Sequence, residues 1–236
     1  MVMVHADNKG LVLPPKIAPT QIVIIPILLA NQDEGEKKTQ LEKCEEFRAA
    51  LKAKGYRVHL DDRLGYSPGW KYNHWELKGV PIRVEVGPKD VKEQSAVIAR
   101  RDNGEKIKVA WSEVVSKVEE LVVKIPIDLL AKATKERDEH LVKCDNWDAF
   151  MGAIDSKKMV IAPWCDTIAC EEAVKDKSAK ATKEKAVASS EGHIQIATGG
   201  AKTLNIPFQT EEVAPGTKCF ACDKEAKLRA LWGRSF

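Results

Sequence analysis

No stretch of this sequence is apolar for long enough to cross a membrane as a helix, which takes about 20 residues. The longest apolar run, Ile22–Ala30, is β-branched and interrupted by Pro26, so it predicts a buried strand. The first residues, Met1–Asp7, lack the basic segment and the cleavage site of a signal peptide. We therefore expect a cytoplasmic protein that has no membrane partner.

The sequence also has little excess of either charge. Charged residues make up 31% of its 236 residues, yet the formal net charge is only +3. Any surface for an anionic polymer must therefore be local and not a property of the whole chain. A chain of this length forms one large domain or two small ones.

Recognisable catalytic motifs are missing as well. The sequence has no P-loop, no G-x-G-x-x-G segment after a strand and no nucleophile elbow. The five histidines are scattered, and none belongs to a metal-binding or nucleophile motif. We therefore assign no catalytic residue.

What the first half does contain is an α/β pattern. The elements predicted there are strand Met1–Val4, strand Gln21–Ile27, a helix that stops at Gly55, strand Tyr56–Leu60, strand Ile82–Val86, a hairpin of Ala96–Ala99 with Lys106–Ala110, and a helix that ends at Pro126. The first strand–helix–strand unit predicts a parallel crossover. The alternation in Ile82–Val86 predicts a half-buried strand that directs Arg83 and Glu85 outward.

A second α/β pattern follows. Its predicted elements are helix Ile127–His140, an amphipathic stripe over Trp147–Ile154, buried strand Met159–Ala162 and strand Thr203–Ile206. Between them, Lys175–Ser190 is rich in Lys, Ala and Ser without a sustained apolar stripe, which predicts a mobile surface excursion. The fold class is therefore α/β.

Four of the six cysteines form two pairs, Cys165 with Cys170 and Cys219 with Cys222. Without a secretory signal, a disulfide framework is not expected. Four thiolates favour a tetrahedral Zn²⁺ site that is closed and structural. The alternatives are buried free cysteines or a redox pair at Cys219 and Cys222. Cys44 lies on the apolar stripe of the first long helix and is expected in the core.

The segment Tyr66–Asp90 combines aromatic and charged residues ahead of a strand, and we interpret its first part as a rigid loop. Tyr66, Trp70, Tyr72 and Trp75 offer flat faces for unstacked bases, and the charged neighbours offer hydrogen-bonding groups. Aromatic residues around a Pro-Gly pair also fasten loops to their domain, and we expect at least two of the four to do so. The residues by themselves leave RNA binding and loop anchoring open.

Three sets of motifs resemble one family in the family's own order. These are Met3–Pro15, Tyr66–Asp90, and the paired cysteines together with Trp232–Phe236. They resemble prolyl-tRNA synthetases of the eukaryotic/archaeal type, and the resemblance covers essentially the whole chain. It implies an exit segment from a class II catalytic domain over residues 1–17. It further implies a mixed-sheet anticodon-binding domain over 18–125 and a smaller α/β zinc-binding domain over 126–236.

The resemblance also implies roles for individual residues. The anticodon of proline tRNA would be read by Glu76, Arg83, Lys89 and Asp90, with Lys106 also close to the RNA. Structural Zn²⁺ would be held by Cys165, Cys170, Cys219 and Cys222. ATP and Mg²⁺ would bind only in the catalytic domain, whose motifs are absent here, so this segment alone should not form prolyl-adenylate.

Further expectations concern the enzyme of which this chain would be the C-terminal part. The full-length enzyme should be a homodimer, and its own catalytic domain should be a partner of this segment. In some members of the family the same module ends a fused glutamyl–prolyl synthetase. The chain has Phe236 where the family usually has tyrosine. The alternative function is a free-standing RNA-binding or scaffolding module without ligase activity.

Overall fold

The computed structural model describes residues 1–29, 31–188 and 199–234. The chain divides into two compact units, Met1–Ala133 and Thr134–Phe236. The expectation about Phe236, and the part of the predicted surface excursion after Ala188, fall outside the described residues. Within those residues, no helix combines the length and the apolar character that crossing a membrane requires.

The first unit is built on a five-stranded mixed sheet with the order β2-β1-β3-β4-β5. Its strands are β1 (Ile22–Pro26), β2 (Val58–Leu60), β3 (Ile82–Val86), β4 (Ser95–Arg100) and β5 (Lys106–Ala110). The first three strands are parallel, whereas β4 and β5 are antiparallel to their neighbours. The parallel crossover and the hairpin predicted from the sequence are both confirmed.

Helices cover parts of both faces of this sheet. The helices that begin in this unit are α1 (Val2–His5), which buries no residue, α2 (Glu34–Ala53), α3 (Pro68–Leu77), α4 (Pro88–Glu93) and α5 (Val114–Glu139), with a 3₁₀ turn at Trp111–Glu113. On one face, residues of α2 and α5 pack with Ile22, Ile82 and Ile98 in the main core. On the other face, Trp75 of α3 packs on Val23.

The long helix α2 ends where its sequence predicts, but the polar residues Glu34–Lys38, which the sequence favours as a loop, form its first turns. The side chain of Asp33 accepts hydrogen bonds from the backbone N–H groups of Gly35 and Glu36, which would otherwise lack partners at the helix start. Gly55 follows the helix with a φ of +86°, a left-handed conformation that glycine adopts without a steric penalty. On the apolar stripe of α2, Cys44, Phe47 and Leu51 are buried as expected, whereas Leu41 is only partly buried.

The structure corrects three predictions about local conformation in the first unit. The segment interpreted as a loop before β3 contains α3, because Ser67 caps its N-terminus and Pro68 occupies the first turn. Met1–Val4 forms no strand, since Val2–His5 is a single helical turn. The helix predicted to end at Pro126 continues to Glu139, because its buried face continues through Leu129. The domain boundaries at 17/18 and 125/126 stay predictions.

The prediction for β3 was half right. Ile82, Val84 and Val86 face the main core as expected. Arg83 and Glu85 point to the opposite face, but they are buried there and not exposed. They are buried because β3 lies between β1 and β4 and because residues of α3 contact the Arg83 side chain.

The carboxyl ends of β1 and β3 are joined by one buried side chain. Gln40 of α2 has no exposed surface, and its Nε2 donates to the carbonyl oxygens of Ile27 at 3.1 Å and Val86 at 2.6 Å. Gln32 in turn donates to Oε1 of Gln40 at 2.8 Å. In the order β2-β1-β3, strand β2 lies on one side of β1 and strand β3 on the other. Gln40 therefore lies at the topological switch point of the sheet, between β1 and β3.

The second unit has a four-stranded sheet of its own with the order β6-β7-β9-β8. Its elements are β6 (Leu141–Lys143), α6 (Trp147–Asp155), β7 (Met159–Trp164), α7 (Ile168–Ala188), β8 (Ala201–Asn205) and β9 (Leu228–Arg234). The predicted strand at Met159–Ala162 and the amphipathic helix are confirmed. The predicted mobile excursion is wrong for the residues up to Ala188, which belong to α7.

Candidate nucleic-acid interface and metal centre

One face of the first sheet carries charged side chains on neighbouring strands. Arg83 of β3 is paired in register with Ala99 of β4, which is paired with Lys106 of β5. Adjacent residues in register point to the same face, so Arg83 and Lys106 lie on one surface. Glu85 shares that surface because it is two residues from Arg83 on the same strand.

The side chains of this face form one network of hydrogen bonds and ion pairs. Nε of Arg83 donates to Oε1 of Glu85 at 2.8 Å, and Nη1 of Arg83 donates to Oε1 of Glu76 at 3.0 Å. Nζ of Lys106 lies 3.6 Å from Oε2 of Glu85. The structure therefore brings together three predicted site residues, Glu76, Arg83 and Lys106. The residue that links them, Glu85, had been assigned no role from the sequence.

Tyr72 of α3 covers this network from the helix side. The guanidinium carbon of Arg83 lies 4.3 Å from the centre of the Tyr72 ring, within the range of a cation–π contact. Burial raises the pKa of the Tyr72 hydroxyl well above its ordinary value, and the negative charge of Glu85 raises it further. Tyr72 therefore stays protonated and neutral near physiological pH.

Lys89 and Asp90 lie just past the end of β3, in the first turn of α4. Oδ2 of Asp90 accepts the backbone N–H of Gly87 at 2.7 Å, and Oδ1 accepts from the Ser95 hydroxyl at 3.4 Å. Asp90 therefore fixes the start of α4. The side chain of Lys89 is exposed. Asp90 also contributes to raising the pKa of Tyr72, which places its charge near the network.

The four aromatic residues of the Tyr66–Asp90 segment divide into two groups. Trp75 is buried and donates its indole N–H to Asp61, so it anchors α3 to the sheet. Tyr72 is half-buried over Arg83. Tyr66 and Trp70 are exposed and stack on each other with ring centres 4.1 Å apart.

The paired cysteines of the second unit converge on one point. The Sγ atoms of Cys165, Cys170, Cys219 and Cys222 all lie within 4.8 Å of one another. Two of these distances join one cysteine of each pair, 3.5 Å from Cys165 to Cys222 and 3.8 Å from Cys170 to Cys219. Four thiolates at about 2.3 Å from a tetrahedral ion lie about 3.8 Å apart, so this donor set is compatible with a structural zinc site.

Local backbone geometry presents these sulfurs to a common centre. Cys165 follows the end of β7, and Cys170 lies in the first turn of α7. The residues directly after Cys165 and Cys222, Asp166 and Asp223, both have left-handed φ angles, +55° and +56°. Aspartate tolerates this conformation better than most residues, and it turns the chain sharply beside each sulfur.

The geometry argues against the redox alternative. Cys219 and Cys222 each lie within 3.8 Å of a sulfur of the other pair, so they belong to a four-sulfur cluster and do not form an isolated pair. Burial raises the pKa of the Cys222 thiol above its ordinary value. A redox pair depends on a lowered thiol pKa instead.

Sequence reasoning missed Glu85 because it was assigned outward to solvent with Arg83. A usable signal was present, since Arg83 and Glu85 are opposite charges two residues apart on a strand and therefore share a face. That spacing predicts a pair. It does not predict burial, which depends on α3.

Family comparisons agree with this geometry for both units. Residues 21–121 match the family model of an anticodon binding domain. The first unit is therefore an anticodon-binding α/β domain of mixed sheet, and the second is an α/β domain with a four-cysteine cluster. Residues 147–236 match the family model described as prolyl-tRNA synthetase, C-terminal. The chain belongs to the prolyl-tRNA synthetase family and carries its anticodon-binding and C-terminal domains.

Individual relatives match along the whole chain. It is 41% identical over 238 residues to the bifunctional glutamate/proline–tRNA ligase of Cricetulus griseus, covering 100% of this chain and 15% of that protein. It is 39% identical to the cytoplasmic proline–tRNA ligase of Arabidopsis thaliana, with 100% of this chain and 41% of that protein covered. It is 42% identical to the proline–tRNA ligase of Alkaliphilus oremlandii, with 100% and 43% covered. The chain thus spans less than half the length of each.

Proposed function

We propose that this chain recognises the anticodon of proline tRNA for a cytoplasmic class II ligase that joins proline to tRNA with ATP. The observation that carries the proposal is the network of Glu76, Arg83 and Lys106 on one face of the anticodon-binding domain. Lys89 and Asp90 complete the proposed set at the end of β3. ATP, Mg²⁺ and the reacting proline belong to the catalytic domain, and the complete enzyme is proposed to be a homodimer.

The chemistry of these side chains suits guanine, and proline anticodons share consecutive guanines. Guanine presents acceptors at O6 and N7, which suit Arg and Lys, and donors at N1 and N2, which suit a carboxylate. Bases of an anticodon loop are accessible on these edges because they are single-stranded. The exposed Lys89 and the partly exposed Glu76 and Lys106 are available for such contacts.

The test is a comparison of binding to proline tRNA and to the same tRNA with an exchanged anticodon. Lys89→Ala and Asp90→Ala should each weaken binding of proline tRNA by about 1–3 kcal/mol and reduce the preference for the proline anticodon. Arg48→Ala serves as a control, because Arg48 pairs with Glu45 on the exposed side of α2. Equal losses for both tRNAs would show that these residues contribute only general charge.

We further propose that Cys165, Cys170, Cys219 and Cys222 hold one structural Zn²⁺. Three of the four sulfurs belong to buried residues, and the distances among them match a tetrahedral thiolate set. Four protein ligands leave no open position on the ion, so its contribution is to the stability of the second unit and not to chemistry. Metal analysis of protein purified without chelators should find about one equivalent of zinc.

A further inference from the structure

The proposed RNA-binding surface contains a buried acid at its centre. The Glu85 side chain is only 7% exposed, and its two oxygens face the two cations of the network, Arg83 through Oε1 and Lys106 through Oε2. A carboxylate at this place cancels positive charge that would attract phosphate groups. Its presence therefore lowers general affinity for RNA, and a purely electrostatic binding surface would not include it.

What Glu85 provides is the orientation of Arg83. A guanidinium has five N–H groups, and here Nε is held by Glu85 and Nη1 by Glu76. The ring of Tyr72 restrains the flat face of the same group. Within the described residues, Nη2 of Arg83 makes no hydrogen bond. Arg83 is thus held at Nε, at Nη1 and on one face, which leaves the N–H groups of Nη2 for a ligand.

Glu85 also ties Lys106 to the same point. Lys106 is 55% exposed, and without a partner its long side chain would sample many rotamers. A charge that moves freely attracts any phosphate, whereas one fixed beside Arg83 contacts only a ligand with acceptors in matching positions. The two cations are therefore held as a pair by a single carboxylate.

We propose that Glu85 is the specificity-determining positioning residue of this surface, which fixes Arg83 and Lys106 for guanine acceptors and lowers general RNA affinity in return. This inference rests on the proposed function, since it assigns a role within the same site. Glu85 itself does not contact the base. It acts through the two cations that it orients.

The chain supplies a matched control for the test. Glu93 pairs with Lys108, another lysine of β5, but both side chains are 54% exposed and neither contacts Arg83. Glu85→Gln and Glu93→Gln therefore remove the same charge beside the same strand, and only the first releases Arg83 and Lys106. A third variant, Glu85→Asp, keeps the charge but withdraws the carboxylate by one methylene.

The measurement is the ratio of dissociation constants for the exchanged-anticodon tRNA and proline tRNA, taken at two salt concentrations. Glu85→Gln should lower this ratio roughly tenfold, the scale of one lost bidentate base contact, while binding the exchanged tRNA more tightly. Glu85→Asp should lower the ratio without the gain in general binding. Glu93→Gln should leave the ratio unchanged.

The binding ratios of these variants decide between the proposed role of Glu85 and a simple effect of its charge. If Glu85→Gln and Glu93→Gln change binding equally and both keep the wild-type ratio, Glu85 contributes only charge and the proposal fails. If Glu85→Gln does not fold, Glu85→Asp carries the test alone, and a wild-type ratio in that variant overturns the proposal. A wild-type protein that shows no preference between the two tRNAs refutes the proposed function itself, whatever the variants do.

Discussion

The indole N–H of Trp75 donates a hydrogen bond to Oδ2 of Asp61 across 2.8 Å, and the Asp61 side chain has no exposed surface. Arg63 binds the same carboxylate with two hydrogen bonds of 2.8 Å each. The ammonium group of Lys71 lies 3.9 Å from Oδ1 and donates to the Asp61 carbonyl oxygen. One buried acid therefore fastens α3 to the end of β2.

This arrangement predicts acid sensitivity. Burial by itself raises the pKa of Asp61, but the hydrogen bonds from Arg63 and Trp75 and the charge of Lys71 outweigh it and hold the pKa far below its usual value. A lowered pKa in the folded state means that the stabilisation is present above the unfolded pKa and is lost as pH falls. The free energy of unfolding should therefore decline below about pH 4.

Asp61→Asn should remove much of that decline and should destabilise the domain by about 3 kcal/mol at neutral pH, because it leaves Lys71 buried without its counter-charge. The measurement is urea unfolding from pH 3 to pH 7. The exposed neighbour Asp62 provides the control, and Asp62→Asn should reproduce the wild-type curve. An unchanged pH dependence in Asp61→Asn would contradict the assignment.

A second prediction concerns the close approach of Gly79 to the N-terminal segment. Gly79 has a φ of +70°, and a Cβ there would lie 2.8 Å from the backbone carbonyl of Leu11. Gly55 has a similar φ of +86° but nothing within 4 Å of such an atom. Both alanine variants thus adopt an unfavourable φ, and only Gly79→Ala adds a clash with backbone.

Gly55→Ala should lower the free energy of unfolding by about 1 kcal/mol, the cost of the left-handed conformation. Gly79→Ala should lower it by about 3 kcal/mol, because the segment at Leu11 must move as well. Thermal unfolding of the two variants side by side measures the difference. Equal losses in the free energy of unfolding would mean that the segment around Leu11 moves aside without a measurable cost.

A third prediction is that the cysteine cluster stabilises the second unit. Cys219→Ser should abolish stoichiometric zinc and increase hydrogen exchange in β7 and β9, since metal binding in such sites is folding energy. Cys144→Ser changes the same residue type in the same core without touching the cluster. It should retain the metal. A Cys219→Ser protein with wild-type exchange rates would count against a structural role.

The fourth prediction separates the cluster from the buried thiol of the first unit. Burial in the apolar core raises the pKa of Cys44 to about 12, so little reactive thiolate exists there at pH 8. Chelation should loosen the second unit and expose its cluster cysteines to iodoacetamide, whereas Cys44 should remain unmodified until the first unit unfolds. Mass spectrometry of tryptic peptides reads both outcomes. Early modification of Cys44 would show that α2 opens readily.

Elements of the fold could be predicted where the sequence signals in a segment all indicated the same structure. Period-two alternation located β3, and the stripe on α2 together with Gly55 located that helix and its end. The prediction at Pro126 was wrong because proline is a local signal, and the continuing apolar face of α5 outweighs the loss of one hydrogen bond. The loop interpretation before β3 was wrong because Ser67 and Pro68 also form a helix start.

The residues of the candidate site could be predicted from the sequence, but the contacts between their side chains could not. Cys165 and Cys222 converge as the paired spacing suggested. That Arg83 is held between Glu85 and Glu76 depends on α3 lying over β3, which no local pattern of the sequence specifies. The same dependence explains why Arg83 was expected at an exposed position.

The position of Gln40 has a consequence for what kind of ligand this domain accepts. Open α/β sheets receive small nucleotides in the crevice where the strand order reverses. In this domain one buried amide already binds the carbonyl groups on both sides of that crevice, those of Ile27 and Val86. The exposed lysines of the edge strand β5, Lys106 and Lys108, lie away from that crevice. On the proposed function, we therefore expect a guanine base to bind only as part of an RNA, and free guanine nucleotides should not compete with it.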